Sequence, residues 1–362
     1  MKAWKRGWLD GYRRGWEYGY HMGKCEAIIQ SNLPGEGKRW DVKVLFVPAQ
    51  GAPYASLDQG IGKELKRLVR EAVIADSGQD PVVLAAEHRP DLVLVLDALG
   101  KTFPAGKAAE LRKMGIRTAV WLPDDPYHSD TTLGIAPHYE YVFTIEKSCV
   151  PYYRELGISQ VHYLPLAVNP DVVRPTYAET SYETDVCFIG SAFWNRVALF
   201  DEIAPSLAGK KVKIVGYWWE RLKNVDMLKD SIHGVWLSPE ETIKYYGRAK
   251  IVLNIHRSAD DPSHNSNSRN IPAHSVNPRM FEISACGTLQ LADIRDGLPE
   301  HYEPDHDIAT FSSVDELAKK IDYYLRHEDE RREMAWRGLA KTMRDHTFSN
   351  RLSELLGIVF GS

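Results

Sequence analysis

The 362-residue sequence is poor in cysteine, and what it has forms no pattern: Cys25, Cys149, Cys187 and Cys286 lie far apart, with no CxxC pair and no nearby paired histidines. That excludes a disulfide-stapled fold and a zinc site of ordinary spacing, and it predicts reduced, mostly buried thiols of a cytosolic protein. A surplus of either charge is also missing. With 45 Lys+Arg against 49 Asp+Glu the formal net charge is −4, so no general nucleic-acid binding is expected, since that needs a basic surplus or patch. No apolar run reaches the roughly 18 residues of a membrane span, so no transmembrane segment is expected. The opening MKAWKRGWLDGYRRGW has neither an apolar core nor a small-residue cleavage site, and a cytoplasmic, non-exported chain is the expectation. Aromatic residues are plentiful: ten Trp and eighteen Tyr suit packing, interfaces and ring-shaped ligands alike.

From about residue 40, short apolar runs alternate with helical segments. Strands are predicted at 42–48, 92–96, 117–121, 141–145 and 161–165, with helices through 63–70, 105–114 and 150–156. The runs are apolar throughout rather than alternating, as in parallel strands covered on both faces. Near 170–182 two prolines and polar residues break the rhythm and read as a linker. The rhythm then restarts, with strands at 185–190, 212–216, 251–254 and 288–292 and helices near 197–207, 239–249 and 278–286; the tail from Val314 to Leu356 is helical. The fold class is therefore α/β, two Rossmann-like units facing a cleft. Open parallel sheets bind ligands beyond their strand carboxyl ends, which makes that cleft the expected site.

The most informative segment is LNIHRSADDPSHNSNSRNIPAHSVNPRMFEISACG, from Leu253 to Gly287. Its middle is too long and polar to be an ordinary connection. Pro278 suits a first helical turn with Asn277 as N-cap, and such a helix start, with its free N–H groups and positive dipole end, favours phosphate. Arg279 would add a fork to phosphate oxygens, and Glu282 would accept two ribose hydroxyls. The alternative is an Arg279–Glu282 surface pair of small consequence. Other residues sit at predicted strand ends. Gly190 and Ser191, followed by Asn195 and Arg196, would cradle a diphosphate, or form a plain strand-to-helix turn. His256 and Arg257 are placed to face the cleft, His256 as a catalytic candidate, with a buried paired histidine as the alternative. In the first unit, Gln50 and Gly51 mark an acceptor side. Asp124 and Asp125 would orient or deprotonate an acceptor hydroxyl, against a solvated Asp-Asp-Pro turn as the other reading. Asp124-Asp125 is not an Asp-X-Asp metal chelate, and no metal or other cofactor is called for.

These residues also carry a resemblance. LNIHR, NPRMFEISACG, DELAKKIDYYL and the closing RDHTFSNRLSELL, spanning 249–356, resemble the C-terminal domain of the CgeB/YkvP-type, spore-maturation-associated glycosyltransferases; ETDVCFIGSAFWNR (183–196) extends the likeness more weakly, and WLPDDP (121–126) belongs to a first half that matches only in general pattern. The resemblance implies a GT-B architecture of two Rossmann-like domains: an N-terminal acceptor domain (39–170), a linker (171–182), a C-terminal nucleotide-sugar domain (183–340) and a C-terminal helix packing back toward the first domain (341–362), all preceded in this chain by a Gly/aromatic helical extension (1–38). It implies a glycosyltransferase that moves a sugar from a nucleotide-sugar donor, most readily a UDP-sugar, to an unknown acceptor without metal, leaning to retention. Glu282 would hold the donor ribose, and Trp236 and Leu237 fall where the nucleobase pocket is expected, although core packing is an equal reading for Trp236. Retaining relatives often carry a second Glu eight positions before Glu282, where this chain has His274. A nucleotide-sugar epimerase and a non-catalytic sugar or nucleotide binder share the same fold and stay open.

The amino terminus is separate. Gly7, Gly11, Gly15, Gly19 and Gly23 recur every four residues, each followed by Trp8, Tyr12, Trp16, Tyr20 or Lys24. On a helix this makes a glycine stripe beside an aromatic ridge, and five interior glycines cost on the order of 4–5 kcal/mol against alanine. A surface packed against the stripe is therefore expected, that of the protein's own domain, a second subunit or a partner, with the second subunit preferred. Lys2, Lys5, Arg6, Arg13 and Arg14 are too many charges for a spanning helix.

Overall fold

A computed structural model describes residues 2–35, 37–51, 54–97, 99–100 and 103–361; nothing is said of the side chains of residues 1–6 (Lys2, Lys5 and Arg6 among them) and 105. Two six-stranded sheets form, each wholly parallel. The first contains β1 (Trp40–Val47), β2 (Val69–Ile74), β3 (Leu92–Leu96), β4 (Arg117–Leu122), β5 (Tyr141–Thr144) and β6 (Val161–Tyr163) in the order β2-β1-β3-β4-β5-β6. The second contains β7 (Thr184–Ile189), β8 (Val212–Val215), β9 (Ile232–His233), β10 (Ala249–Asn254), β11 (Leu289–Asp293) and β12 (Ala309–Phe311) in the order β12-β11-β10-β7-β8-β9. Strands such as Leu92-Val-Leu-Val-Leu96 are buried along their whole length because helices cover both faces.

Three strands differ from the sequence expectation. The helix Ala55–Leu68 passes straight into β2 with no glycine or proline between them, so Val69 and Arg70 read as the helix continuing. β9 and β12 have two and three residues, too few for a period to show.

Each unit is completed by chain from elsewhere. The C-terminal helix Phe348–Phe360 puts Phe348, Leu352, Leu355, Leu356 and Val359 into one core of the first sheet, beside Phe46, Leu94 and Trp121. Ile271, from the polar loop after β10, is fully buried in the core on the other face, with Val47, Val95 and Tyr153. In the other direction, the N-terminal helix Lys2–Asn32 buries Cys25 and Ile29 among Met280, Cys286, Leu339 and Met343 of the second unit.

That helix does not pack through its glycines. A Cβ built on Gly7, Gly11, Gly15, Gly19 or Gly23 meets nothing within 4 Å. The face that docks carries Tyr18, Met22, Cys25 and Ile29 instead, one residue per turn over three turns. Tyr18 donates to the Thr176 carbonyl at 3.3 Å, Trp336 Nε1 donates to His21 Nδ1 at 3.1 Å, and Glu26 pairs with Arg174. The preceding ridge stays exposed, with Trp8 on Tyr12 and Trp16 on Tyr20 stacked at 5.6 Å. Because Cys25 and Ile29 belong to a core, the helix is not a dispensable appendage.

Candidate functional site

Both strand orders reverse direction beside a first strand, at β1/β3 in one sheet and β7/β10 in the other, and the loops beyond these points face each other. Between them lies a cleft of about 570 Å³. Its upper wall is built around Gly190. Gly216, at φ 140°, brings β8 so near β7 that a Cβ on it would stand 2.3 Å from the Gly190 carbonyl oxygen; only glycine fits there. Two guanidinium groups converge over Gly190, Arg196 NH1 at 3.2 Å and Arg279 NH2 at 3.3 Å from where a Cβ would be. Arg196 is 4% exposed and is fixed by donating from Nε to the Ile255 carbonyl (3.0 Å) and from NH1 to the Ser191 carbonyl (2.9 Å). Burial, and then the like charge of Arg279, draw its pKa down to about 9. Among the described residues neither guanidinium is in an ion pair, so two positive charges share a wall with no carboxylate bridging them.

Arg279 and Glu282 stand on the helix Pro278–Ala285, whose N-cap is Asn277 with its Oδ1 accepting from Met280 N–H at 3.1 Å. The other end of that side chain donates one N–H to Asn254 at 2.9 Å, and Asn277 lines the cleft with its second amide N–H still to give. Glu282 lines the cleft half-buried; among the described residues its carboxylate forms no hydrogen bond and no ion pair with Arg279, which disposes of the surface-pair alternative. Burial raises its pKa, and the charge of Arg279 opposes the shift. Ser191 and Leu237 line the same wall. Trp236 lines it too, 52% exposed, so it is not a core residue.

Three expected site residues are placed otherwise. His256 does not line the cleft. It is 1% exposed, with Nδ1 2.6 Å from Asp293 and its backbone N–H on the same carboxylate, a buried pair that ties the end of β10 to the end of β11. Asp125 is 2% exposed and accepts hydroxyls from Thr132, Thr144 and Tyr153, each at 2.7 Å; burial pushes its pKa up to about 6 against those three bonds. It lines the cleft, but its carboxylate is taken up in organising the loop. Gln50 (φ 61°) is outside the lining, its N–H held by Asp58 at 2.9 Å, whereas Gly51 lines the cleft. Asp124 does face the cleft and accepts the Tyr54 hydroxyl. Arg257 reaches it between the rings of Tyr127 (4.7 Å) and Phe193 (4.4 Å) while donating to the His264 carbonyl. His274 pairs with Asp296 at 2.6 Å instead of facing the cleft.

The polar loop that follows β10 straps the units together. Tyr127 donates to the Arg257 carbonyl (3.1 Å), Ser129 to Asn267 (2.8 Å), and the Ser275 N–H to Glu146 (3.0 Å). Glu146, the residue after Ile145 beyond β5, was legible by the same strand-end rule that selected Asp124 but was not singled out. Tyr54 and Gly216 carry no local signal of their role. Among the described residues no cluster of three or more His, Cys, Asp or Glu side chains is placed to hold a metal ion, and no helix is long and apolar enough to cross a membrane.

Residues 196–357 match the family model described as glycosyl transferase-like. The spore protein CgeB of Bacillus subtilis (strain 168) is 29% identical over 325 residues, which is 88% of this chain and 98% of that protein. Among solved structures, sucrose-phosphate synthase from Thermosynechococcus elongatus has a TM-score of 0.61 at 12% identity, covering 88% of this chain and 99% of that one. Anabaena HepE, solved in complex with UDP, has a TM-score of 0.59 at 13% identity, covering 87% and 99%. A glycosyltransferase from Rickettsia africae ESF-5 has a TM-score of 0.57 at 12% identity, covering 89% and 98%. The two-sheet arrangement is thus the GT-B fold.

Proposed function

We propose that this chain, a glycosyltransferase of the GT-B type, moves a sugar from a UDP-sugar to a hydroxyl acceptor without a divalent metal and with retention at the anomeric carbon. The observation that carries the reading is the pair of unbridged guanidiniums over Gly190, standing beside an unpartnered Glu282 and an exposed Trp236. Diphosphate, ribose and base then have counterparts spaced along one wall: Arg196 and Arg279 for the diphosphate, Glu282 for the ribose hydroxyls, Trp236 for stacking on the base. That HepE was solved with UDP and with UDP-glucose supports this choice of donor.

Charge builds on the diphosphate as the glycosidic bond breaks, and the fixed guanidiniums meet that charge without reorganising, taking the part a metal plays elsewhere. Asp125 is held by its three hydroxyls and Asp124 carries the Tyr54 hydroxyl, so neither is set as a bare general base for attack from the opposite face. The acceptor oxygen bonds to the anomeric carbon on the face the diphosphate leaves, and its proton passes to the departing phosphate oxygen. Asp124, with Tyr54 on it, orients the acceptor hydroxyl. The reaction belongs to the cytosol, where four buried free thiols stay reduced.

Incubating the protein with UDP-glucose in excess EDTA, and following UDP and the first-formed glucose anomer by NMR, tests all three elements. UDP release with the α-anomer appearing first is expected. Dependence on added metal, or the β-anomer first, overturns the corresponding element.

A further inference from the structure

A second cavity, of about 530 Å³, lies where the N-terminal helix crosses the amino-terminal ends of β7, β10 and β11, and it shares no lining residue with the cleft. Seven lysines and arginines line it against four carboxylates, a surplus of three positive charges. The carboxylates are already engaged: Glu183 by Arg248, Asp185 by Lys250, Glu328 by Arg331 and Arg332, and Glu17 by Arg13. Arg14 and Lys211 form no ion pair among the described residues. The wall also holds two buried polar atoms with no hydrogen-bond partner, Arg248 Nε and Thr184 Oγ1, in a side chain and a residue each 6% exposed. Native structures seldom leave buried donors unmatched, and two on one cavity mark a place where an acceptor belongs.

A third observation comes from His21 on the same wall. Burial first, and then the charges of Arg332 and Arg331, draw its pKa down to about 4, so the imidazole is neutral and adds no charge of its own beside the two guanidiniums. We propose that this cavity is a second ligand site, taking a compact, multiply charged phosphorylated small molecule that fastens the N-terminal helix to the C-terminal domain. The donors come from both sides, Arg13 and Arg14 from the helix and Lys211, Arg248 and Thr184 from the domain, so an anion between them joins the two surfaces. A half-open cavity of about 530 Å³ between a helix and a domain has room for a small molecule rather than for a nucleic-acid strand or a lipid surface. The site is independent of the donor cleft, and so of the reading given for it.

Hydrogen exchange of the full chain, read on peptides covering residues 10–29, tests this with inorganic pyrophosphate as the probe. UDP in excess is present throughout to occupy the cleft, and Arg279→Ala serves as a second control on cleft binding. Pyrophosphate is expected to slow exchange of the helix in the wild type and in Arg279→Ala, and the exposed double substitution Arg14→Ala/Lys211→Ala to weaken its affinity at least tenfold. Unchanged helix exchange in the wild type, or equal protection in the double variant, overturns the proposal. Failure of UDP to bind would count against the donor reading alone, since Arg279→Ala still separates the two sites.

Discussion

Replacing Glu282 by alanine should act on binding and on folding in opposite directions. In the unliganded protein the carboxylate is half-buried without a hydrogen bond, and burial holds its pKa above the ordinary 4.5. A group whose folded pKa is raised binds its proton more tightly in the native state, so native stability falls as pH rises from the ordinary value through the raised one. At neutral pH Glu282 is thus an ionised group that the fold disfavours, and its removal should leave the protein as stable as before or more so. With nucleotide bound, the same carboxylate accepts two ribose hydroxyls, charge-assisted bonds worth about 1.5–3 kcal/mol in the balance against water. Losing them should raise the UDP dissociation constant roughly 10- to 150-fold. Calorimetric titration gives the affinity, and urea denaturation at pH 4 and pH 7 gives the stability. An unchanged UDP affinity, in a wild type that binds UDP, refutes the assignment of Glu282. A clear loss of stability at pH 7 refutes the argument that its burial is uncompensated.

Arg279→Ala should lower turnover by on the order of 10²-fold, and more than it lowers donor affinity, because the diphosphate gains charge in the transition state; a loss confined to KM would contradict this. Asp125→Ala removes the shared acceptor of three buried hydroxyls and should cost about 3–5 kcal/mol in urea denaturation, whereas a neutral result would return Asp125 to the free carboxylates. With burial raising its folded pKa from 3.8 to about 6, the stability Asp125 contributes is greatest below the lower value and is lost as pH rises through the upper one; Asp125→Asn should flatten that part of the pH profile. A chain beginning at Lys38 removes Met22, Cys25 and Ile29 from buried positions and should lose roughly 5 kcal/mol of stability; unchanged urea denaturation would refute this. For the exposed ridge of Trp8, Tyr12 and Trp16 the proposal of a second subunit stands, and light scattering at micromolar concentration should give a dimer mass; a monomer mass removes it.

The site was legible where local chemistry is written in neighbouring residues. Asn277-Pro278 announces a helix start, and Arg279 and Glu282 follow at a fixed angle from it. The strand-end glycines could be placed because Asp185-Val-Cys-Phe-Ile-Gly190 is an unbroken apolar run with a glycine closing it. What could not be read was partnership across the chain. Asp125 and Asp124 are adjacent in sequence and both line the cleft, yet the carboxylate of one is taken up by Thr132, Thr144 and Tyr153 while the other takes the Tyr54 hydroxyl; only the backbone's turn between them decides which. His256 looks like any strand-end histidine until Asp293, 37 residues on, is seen beside it. The glycine stripe suggested packing through its own groove, but the domain accepted the face led by Tyr18 and Cys25, where larger side chains bury more apolar surface than glycine can.

The exchange of core residues between the two units bears on how the chain is made. The first sheet is complete by Tyr163, but one of its cores needs Ile271 and another needs the helix Phe348–Phe360. During synthesis the amino-terminal half therefore emerges with two unfilled apolar gaps, one of which waits for Ile271 and the other for nearly the whole chain. The second unit takes its missing piece from the opposite direction, from a helix that precedes the first sheet in the chain. Dividing the chain in the 171–182 segment should accordingly yield two insoluble fragments rather than two folded domains, while mixing them before collapse should restore one particle. Denaturation of the intact chain should follow a single transition, and a shuffled hybrid with a related protein's half should fold only when Ile271, the terminal helix and the Cys25–Ile29 turn travel with the sheet that each one fills.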